Sequence, residues 1–382
     1  MTIEGPIPVE TPQDAYPQPQ LLLQLGLVLA ASSGAEARPP RRCNDVDIVA
    51  GQHVVYSWPG AAPPQELLDL TRQGLVGGVI LFGENMNANT TANVKLLKEA
   101  YDASPAPGLL RKLTGKRANF FVSTDQEGGY VRRIVGAEPV LSAKQMGLSA
   151  DPAATGKAAG EGAAAVLKQW QHNVNLAPVL DIWREAGDFI DAKERSFGNT
   201  SAQVVRAAVP FLEAQQRAGV AGSAKHFPGL GAAVAGSNTD LQPVTLTQSL
   251  RELRDVDMKP YESAIAAGID MVMTSWAIYP ALDSKYPSGL SRKWVQGELR
   301  DRLRFKGVTI TDAMEAGAIL PFGDVSQTGP LAKKAGMDLL LASARNVIRK
   351  AIVQGLKSGF LDHKEFDAAT KRIATMRSKI AA

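Results

Sequence analysis

Short apolar runs alternate with longer amphipathic stretches along the chain from about residue 53 onward. The runs lie at His53–Trp58, Gly78–Phe82, Asn119–Asp125, Val174–Asp181, Val220–His226, Met271–Trp276, Val308–Asp312 and Met337–Ala342. Nearly continuous apolar character is typical of parallel strands that are buried on both faces. The pattern therefore predicts eight parallel strands, separated by connections that carry helices.

The intervening stretches have apolar residues at helical spacing, and glycine directly follows several of them, as it commonly does at the end of a helix. The clearest helices are Pro64–Gln73, Ala202–Ala218 and Gln248–Ala267, with a closing helix over Phe366–Ile380. Eight strand–helix units predict an α/β fold, a closed (β/α)8 TIM-type barrel that forms a single domain over residues 46–382.

An open doubly wound sheet is the alternative, because a strand count taken from a sequence can be wrong. The segment Gly229-Leu230-Gly231 lacks the third glycine of a dinucleotide-binding loop, and no acidic residue follows where a ribose would need one. The sequence therefore favours the barrel.

The chain has 382 residues, with 42 Lys and Arg against 38 Asp and Glu, a formal net charge of +4. No block of basic residues is present, so no nucleic-acid partner is expected. No apolar stretch approaches the roughly 20 residues that a membrane span needs. Cys43 is the single cysteine, which excludes an internal disulfide and a cysteine-rich metal site. We predict no metal and no cofactor.

The N-terminal segment, residues 1–45, is rich in proline around an apolar run, Leu21–Ala31. That run and the following Ala35-Glu36-Ala37 are similar to the apolar core and cleavage site of a signal peptide. Residues 1–20 contain no Lys or Arg, whereas a signal peptide has a positively charged start. We expect a disordered or signal-like segment, and a cytoplasmic location is favoured over a secreted one.

Several predicted strands have an apolar interior but end in an ionisable residue. These residues are Asp125, Asp181, the pair Lys225-His226, and Asp312. In a β/α barrel the carboxyl ends of all strands meet at one rim, where the loops build the active site. A strand-terminal Asp can instead cap the next helix, but several such residues at one rim favour a functional site. Carboxylates and cations bind hydroxyl groups through charge-assisted hydrogen bonds, so a sugar ligand is expected.

Four segments of the chain resemble, in the same order, motifs of glycoside hydrolase family 3. They are Asp125–Gly129 with Val131 and Arg133 (DQEGG-x-V-x-R), Arg195–Gly198 (RSFG), Lys225–Gly229 (KHFPG) and Gly307–Asp312, the nucleophile segment. With the strand pattern, the resemblance covers roughly residues 50–382. A single-barrel chain is most similar to the family's bacterial β-N-acetylglucosaminidases (β-N-acetylhexosaminidases), which act on N-acetylglucosamine in cell-wall fragments.

The resemblance implies a role for each matching residue. Asp312 is the expected nucleophile, which would form a covalent glycosyl intermediate at the anomeric carbon. The expected substrate-binding residues are Asp125, Arg133, Arg195, Lys225 and His226. An acidic side chain after Val-Thr-Ile-Thr at a strand end is also hard to explain by packing. The structural alternatives are a salt bridge behind the site for Lys225-His226, and pairing of Arg195 with Asp181 or near Glu194.

The loop after KHFPG departs from the pattern of these glucosaminidases, HGDT-x-x-DSH, in which an Asp-His pair supplies the general acid/base. Gly236 stands where that Asp would be, and Asn238 where that His would be. Asn cannot donate a proton and recover it. Asp240 is the leading candidate for a replacement, because a closing loop can raise the pKa of a catalytic carboxyl. The further candidates are Glu127, Glu315 and Glu84.

Another histidine is not expected to take over this role, since the chain has four in all. His53 and His172 fall at the starts of their strands, on the face opposite the rim, and His363 belongs to the last helix. His226 is therefore the one histidine expected at the rim.

We predict a retaining exo-glycosidase that hydrolyses terminal β-linked N-acetylglucosamine, or a related hexose, in carbohydrate metabolism and cell-wall recycling. The expected partner is a small sugar or a cell-wall glycan fragment, and the expected state is a monomer. Two alternatives stay open. A catalytically impaired barrel would bind sugar with little turnover, since loss of acid/base help costs about 10²–10⁴-fold in rate. A glycoside phosphorylase would use phosphate in place of water.

Overall fold

The computed structural model describes residues 45–343 and 346–382. Its strands form a closed parallel barrel of β1 (Val54–Tyr56), β2 (Gly78–Ile80), β3 (Phe121–Thr124), β4 (Val174–Asn175), β5 (Ala221–Phe227), β6 (Met271–Thr274), β7 (Val308–Ala313) and β8 (Leu339–Ala342). Each strand pairs with its neighbours in chain order, and β8 closes onto β1. The predicted (β/α)8 barrel is confirmed. The signal-like run at residues 21–37 and Cys43 lie outside the described residues.

The connections carry the helices. They are α1 (Asp45–Gly51), α2 (Gln65–Arg72), α3 (Thr90–Asp102), α4 (Ala106–Thr114), α5 (Ala143–Gly147), α6 (Pro152–Gln169), α7 (Ser201–Arg217), α8 (Lys259–Ala266), α9 (Val325–Ala335), α10 (Val347–Lys357) and α11 (His363–Arg377). A helical turn (Leu250–Glu252) and two π-helical segments (Leu253–Asp257 and Lys293–Arg302) complete the ring. None of the described helices is both long and apolar enough to cross a membrane.

The helix predicted over Gln248–Ala267 is interrupted before α8. Pro260 has no N–H group, so it cannot donate to the carbonyl group one helical turn earlier, that of Val256. That carbonyl group accepts a hydrogen bond from Ser201 Oγ at 3.0 Å instead. The strand predicted over Val174–Asp181 is likewise shorter, since Pro178 has no N–H to pair, and only an isolated bridge at Val179 resumes the ladder.

Apolar side chains fill the inside of the barrel. One buried cluster takes residues from all eight strands, among them Val55, Ile80, Phe121 and Val308. Such a layered interior is a packed core and leaves no pore. The polar side chains at the carboxyl ends of the strands therefore lie above this packed apolar core. Their chemistry is confined to the rim of the barrel.

Candidate active site

Two strands are bulged where their predicted site residues lie. The register of β5 against β6 shifts between positions 224 and 227, which places the extra residue at Lys225-His226. The register of β7 against β8 shifts between positions 310 and 313, which places it at Thr311-Asp312. A bulge redirects the side chains of the extra residue and is common beside active sites. The peptide bond between Lys225 and His226 is cis.

Asp125, at the end of β3, is buried in contact with two cations. Its Oδ1 accepts a hydrogen bond from Lys225 Nζ at 2.7 Å, and its Oδ2 lies 3.6 Å from Arg133 Nη2. Burial alone would raise the pKa of Asp125, but Lys225 and Arg133 outweigh that effect and hold this pKa below its usual value. Asp125 is therefore an ionised hydrogen-bond acceptor at the rim.

Glu127 forms the other half of this charge cluster. Arg195 binds it through two parallel hydrogen bonds, from Nε to Oε2 at 2.9 Å and from Nη2 to Oε1 at 2.8 Å. Lys225 Nζ is also 2.8 Å from Glu127 Oε1. Burial opposes ionisation of Glu127, but Arg195 and Lys225 lower its pKa well below the usual range. Burial likewise would lower the pKa of Lys225, yet its two carboxylate partners raise it. Arg195 thus pairs with Glu127, a partner that the sequence alternatives for Arg195 did not include.

The hairpin that carries Glu127 is shaped by two glycines. Strands Gln126–Gly128 and Val131–Arg132 pair antiparallel, and Gly128 and Gly129 at its tip have φ values of +114° and +55°. A Cβ atom at Gly128 would lie 2.4 Å from Leu141 O, and a Cβ atom at Gly129 would lie 2.5 Å from Ser142 Cβ. Glycine is therefore required here on both conformational and steric grounds.

The loop after β4 carries Arg195 and fixes its position. Glu194 has a left-handed backbone with φ of +50°, which is uncommon for a residue with a side chain and is concentrated at functional sites. Its Oε2 accepts a hydrogen bond from Ser142 Oγ at 2.6 Å, and nearby Lys144 forms an ion pair with Asp191, also at 2.6 Å. These contacts fix the loop against α5. The backbone that carries Arg195 is therefore held in place while the Arg195 side chain binds Glu127.

His226 is oriented by Asp181, which is fully buried. His226 Nδ1 lies 2.7 Å from Asp181 Oδ2, and the Asp181 carboxylate also accepts the backbone N–H groups of His226 (3.2 Å) and Leu230 (2.7 Å). This contact engages Nδ1 and leaves Nε2 as the nitrogen available for a ligand. The sequence pointed to Asp181 as a strand-end carboxylate but gave it no role of its own. Its contact to the KHFPG loop could not be deduced from spacing.

Asp312 is half-buried at the end of β7. Its Oδ1 accepts a hydrogen bond from the backbone N–H of Ala313 at 2.8 Å, and Trp276 Nε1 donates to the carbonyl group of Ala313 at 2.8 Å. The Asp312 carboxylate is thus held by a backbone N–H group, and within the described residues it forms no ion pair with a cationic side chain. This leaves it accessible for chemistry at the rim.

Asp240 is brought into the same electrostatic environment by the loop after β5. Burial and the charge of Asp312 together raise the pKa of its carboxyl to about 7, although Arg195 and His226 act in the opposite direction. The charges of Asp312, Arg195 and His226 at the rim therefore act on the Asp240 carboxyl. A carboxyl with a pKa near neutrality can give and take a proton at physiological pH.

The replaced residues in this loop have structural functions. Asn238 Oδ1 accepts a hydrogen bond from the backbone N–H of Asp240 at 2.8 Å, which fixes the turn that presents the carboxyl. The carbonyl group of Asp240 accepts a hydrogen bond from Gly317 N at 2.7 Å, which ties the turn to the loop after β7. Gly236 has φ of +81°, a conformation that residues with side chains rarely adopt.

The other acid/base candidates fit less well. Glu127 is held ionised by its ion pairs, so it is a poor proton donor. Glu84 is exposed and accepts a hydrogen bond from Gly60 N at 2.9 Å, and Glu315 accepts one from Ser343 N at 2.8 Å. Among the histidines, His53 and His172 are buried at the starts of β1 and β4, away from the rim, and His363 is the first residue of α11.

The closed barrel and the carboxylates and cations at its rim define a glycoside hydrolase. The chain belongs to glycosyl hydrolase family 3, since residues 46–376 match the family profile described as "Glycosyl hydrolase family 3 N terminal domain". An "Uncharacterized secreted glycosyl hydrolase" of Arthroderma benhamiae is 49% identical over 360 residues, which are 93% of this chain and 99% of that protein. A beta-hexosaminidase of Tolumonas auensis is 31% identical over 295 residues, or 76% and 82% of the two chains.

Solved structures show the same similarity. The β-N-acetylhexosaminidase from Beutenbergia cavernae matches with a TM-score of 0.77 at 29% identity, over 88% of this chain and 99% of that one. The family 3 β-N-acetylglucosaminidase from Paenibacillus matches with a TM-score of 0.79 at 28% identity, over 87% of this chain. This chain spans 62% of that longer protein.

Proposed function

We propose that the protein is a retaining exo-glycosidase for terminal β-linked N-acetylglucosamine, in which Asp312 is the nucleophile and Asp240 the general acid/base. The observation that carries the proposal is the contrast between these two carboxyl groups. Asp240 has its pKa raised to about 7 by burial and by the Asp312 charge, whereas Asp312 is half-buried and anchored by a backbone N–H. Two carboxyl groups in different environments can take different roles in glycoside hydrolysis.

The proposed reaction has two steps. Asp312 attacks the anomeric carbon while Asp240 protonates the leaving oxygen, which gives a glycosyl ester and an alcohol. Asp240, now ionised, then removes a proton from water as the water attacks the same carbon and releases Asp312. The configuration is retained because two inversions occur in sequence.

The charge cluster of Asp125, Glu127, Lys225 and Arg195, with Arg133, is proposed to bind the hydroxyl and acetamido groups of the sugar. Support comes from its position at the rim and from the donors that the ion pairs leave available: Lys225 uses two of its three N–H groups on carboxylates. The preference for N-acetylglucosamine rests on the similarity to named β-hexosaminidases.

A screen of aryl β-glycosides, with and without phosphate, tests the proposal. The N-acetylglucosaminide is expected to turn over faster than the glucoside or xyloside, with no dependence on phosphate. Turnover that requires phosphate and yields a sugar 1-phosphate would instead identify a phosphorylase. Binding of N-acetylglucosamine without turnover of any aryl glycoside would identify the impaired sugar-binding barrel, which the substitution of Gly236 and Asn238 for the family's Asp-His pair favours.

Replacing Glu127 by Gln is expected to raise KM by about 10- to 100-fold while kcat changes less. The neutral amide cannot hold Arg195 and Lys225 as the carboxylate does, so the binding groups lose their fixed positions before any bond is broken. Steady-state kinetics on an aryl N-acetylglucosaminide measure the two constants separately.

Glu185→Gln is the matched control, because Glu185 is an exposed carboxylate in the loop after β4, and it should leave both constants unchanged. An unchanged KM in Glu127→Gln would show that the pairing of Arg195 has only a structural function. A fall in kcat alone would show that Glu127 takes part in the chemical step.

A further inference from the structure

Two loops of the rim are joined backbone to backbone beside Asp240. In the loop after β7, the N–H groups of Gly317 and Ala318 donate to the carbonyl groups of Asp240 (2.7 Å) and Thr239 (3.0 Å) in the loop after β5. A Cβ atom at Gly317 would lie 2.1 Å from the carbonyl oxygen of Leu241, so the close approach of the two backbones requires glycine. The side chains that flank Asp240 therefore come from both loops.

Large apolar side chains are exposed where these loops meet. Gly317–Phe322 forms a 3-10 helix, and residues three positions apart in such a helix lie directly above one another. Leu320 therefore extends from the same face as Gly317, the face that contacts the backbone of Leu241. Leu241 is 54% exposed and Leu320 64% exposed, whereas Ile319 beside it is buried. Two leucines thus leave apolar surface open to solvent next to Asp240.

Charged residues are scarce in the sequence of these two loops. Within residues 227–250, Asp240 is the single Asp, Glu, Lys, Arg or His, and residues 316–323 contain none. Pro321 is exposed and Phe322 half-buried, so apolar character continues along the 3-10 helix. The charged groups proposed to bind the sugar lie elsewhere, in the segment after β3, on β5 and in the loop after β4. The rim therefore has a charged part and, beside Asp240, an apolar part.

The apolar part of the rim bears on the leaving group of the reaction, which is called the aglycone. A general acid must lie within hydrogen-bond reach of the oxygen that it protonates. The group attached to that oxygen must therefore leave the site past Asp240 and the side chains that flank it, which include Leu241 and Leu320. An apolar group that covers these leucines removes apolar surface from water on both sides, which favours binding.

We propose that Leu241, Leu320 and Pro321 bind an apolar aglycone, an alkyl or aryl group, and make the enzyme selective for glycosides that carry one. This inference rests on the proposed function, since it takes Asp240 as the group that protonates the leaving oxygen. A second sugar would gain less from this surface, because its hydroxyl groups would lose water and find no charged side chain of residues 316–323 in exchange.

Methyl, butyl and hexyl β-N-acetylglucosaminides test the proposal, because their alcohols are leaving groups of nearly equal acidity and differ in apolar length. Calorimetry on the full chain with Asp312→Asn, in which turnover is expected to be lost, measures the Kd of each glycoside. The hexyl glycoside is expected to bind at least about tenfold more tightly than the methyl glycoside, through the methylene groups that it removes from water. In the unsubstituted protein, kcat/KM should rise in the same order.

Leu320→Ser and Leu241→Ser should each reduce the preference for the hexyl over the methyl glycoside by about threefold or more, because each removes part of the apolar surface. Leu113→Ser is the matched control and should keep the full preference. Leu113 is 50% exposed near the end of α4, before the start of β3, and so lies at the end of the barrel opposite the rim. An equal loss of preference in all three variants would overturn the proposal.

Equal Kd values for the methyl and hexyl glycosides, with both hydrolysed by the unsubstituted protein, would overturn this proposal but not the proposed function. Tighter binding of the disaccharide of two N-acetylglucosamine units than of the hexyl glycoside would also overturn it, since the surface would then receive a second sugar. Hydrolysis of no glycoside at all, with the hexyl preference in Kd retained, would reject the proposed function and would support the apolar surface as a binding site.

Discussion

Replacing Asp312 by Ala is expected to lower kcat on an activated aryl N-acetylglucosaminide by roughly four orders of magnitude or more. The reason is that the other carboxyl groups described at the rim are engaged. Asp125 and Glu127 are bound in ion pairs, and Asp181 is bound to His226. Asp240 has the separate proposed role of general acid/base. Steady-state rates measure the loss. Asp312→Asn, which preserves the size of the side chain, should lose as much.

Sugar binding in these variants provides the control for correct folding. The Kd for N-acetylglucosamine, measured by calorimetry, should change little, because the proposed binding groups lie in the segment after β3, on β5 and in the loop after β4. Turnover that survives Asp312→Ala would reject the nucleophile assignment. A simultaneous loss of binding and of the thermal unfolding transition would instead reveal a folding defect, which Asp312→Asn is designed to avoid.

Replacing Asp240 by Ala is expected to lower kcat/KM on a glycan substrate by about 10²–10⁴-fold, and much less on an aryl glycoside with a good leaving group. A natural sugar alcohol leaves only with a proton, whereas an activated phenolate leaves without one. Small anions such as azide need no general base, so azide should accelerate turnover of the aryl substrate in Asp240→Ala and yield the β-glycosyl azide.

Ser237→Ala, in the same loop, is the control for loop perturbation and should behave like the unchanged protein. A loss in Asp240→Ala that is equal for both substrates, together with no response to azide, would exclude Asp240 as the acid/base. Product analysis by NMR separates the two results, because the configuration of the azide reports which carboxylate remains.

The pH profile supplies an independent test of the same residue. A general acid works in its protonated form, and the pKa of Asp240 is raised to about 7 by burial and by Asp312. kcat/KM on the glycan substrate should therefore fall as the pH rises through about 7. In Asp240→Asn this fall near pH 7 should be absent, since no proton is held there at any pH. A profile that keeps the same alkaline fall in the variant would assign the titration to another group.

The barrel could be predicted because its signal is local and repeated. Each strand is a short, mostly apolar run, and several of the runs end in an ionisable residue, as Val308–Asp312 does within five residues. The interruptions were harder to foresee: Pro260 and Pro178 shorten a helix and a strand through the hydrogen bonds that they cannot donate. The two bulges at Lys225-His226 and Thr311-Asp312 depend on register between strands, which one sequence does not contain.

The site was predictable as a set of residues but only in part as a set of contacts. Arg195 and Glu127 are 68 positions apart, and their double hydrogen bond follows from the fold. The leading candidate for the acid/base, Asp240, could be named from its place in the loop. The raised pKa of Asp240 could not be predicted, because it depends on burial and on the Asp312 charge. Both depend on the folded position of the loop, which a 2.7 Å hydrogen bond from Gly317 N to the Asp240 carbonyl group helps to fix.

Trapping the glycosyl intermediate tests the central claim most directly. The protein is incubated with an activated N-acetylglucosaminide that carries fluorine on the ring, which slows release of the ester, and is then digested and sequenced by mass spectrometry. The expected result is one fluorinated sugar attached to Asp312, and none in Asp312→Asn. Attachment to another carboxylate, or turnover with inverted configuration and no attached sugar, would contradict the account.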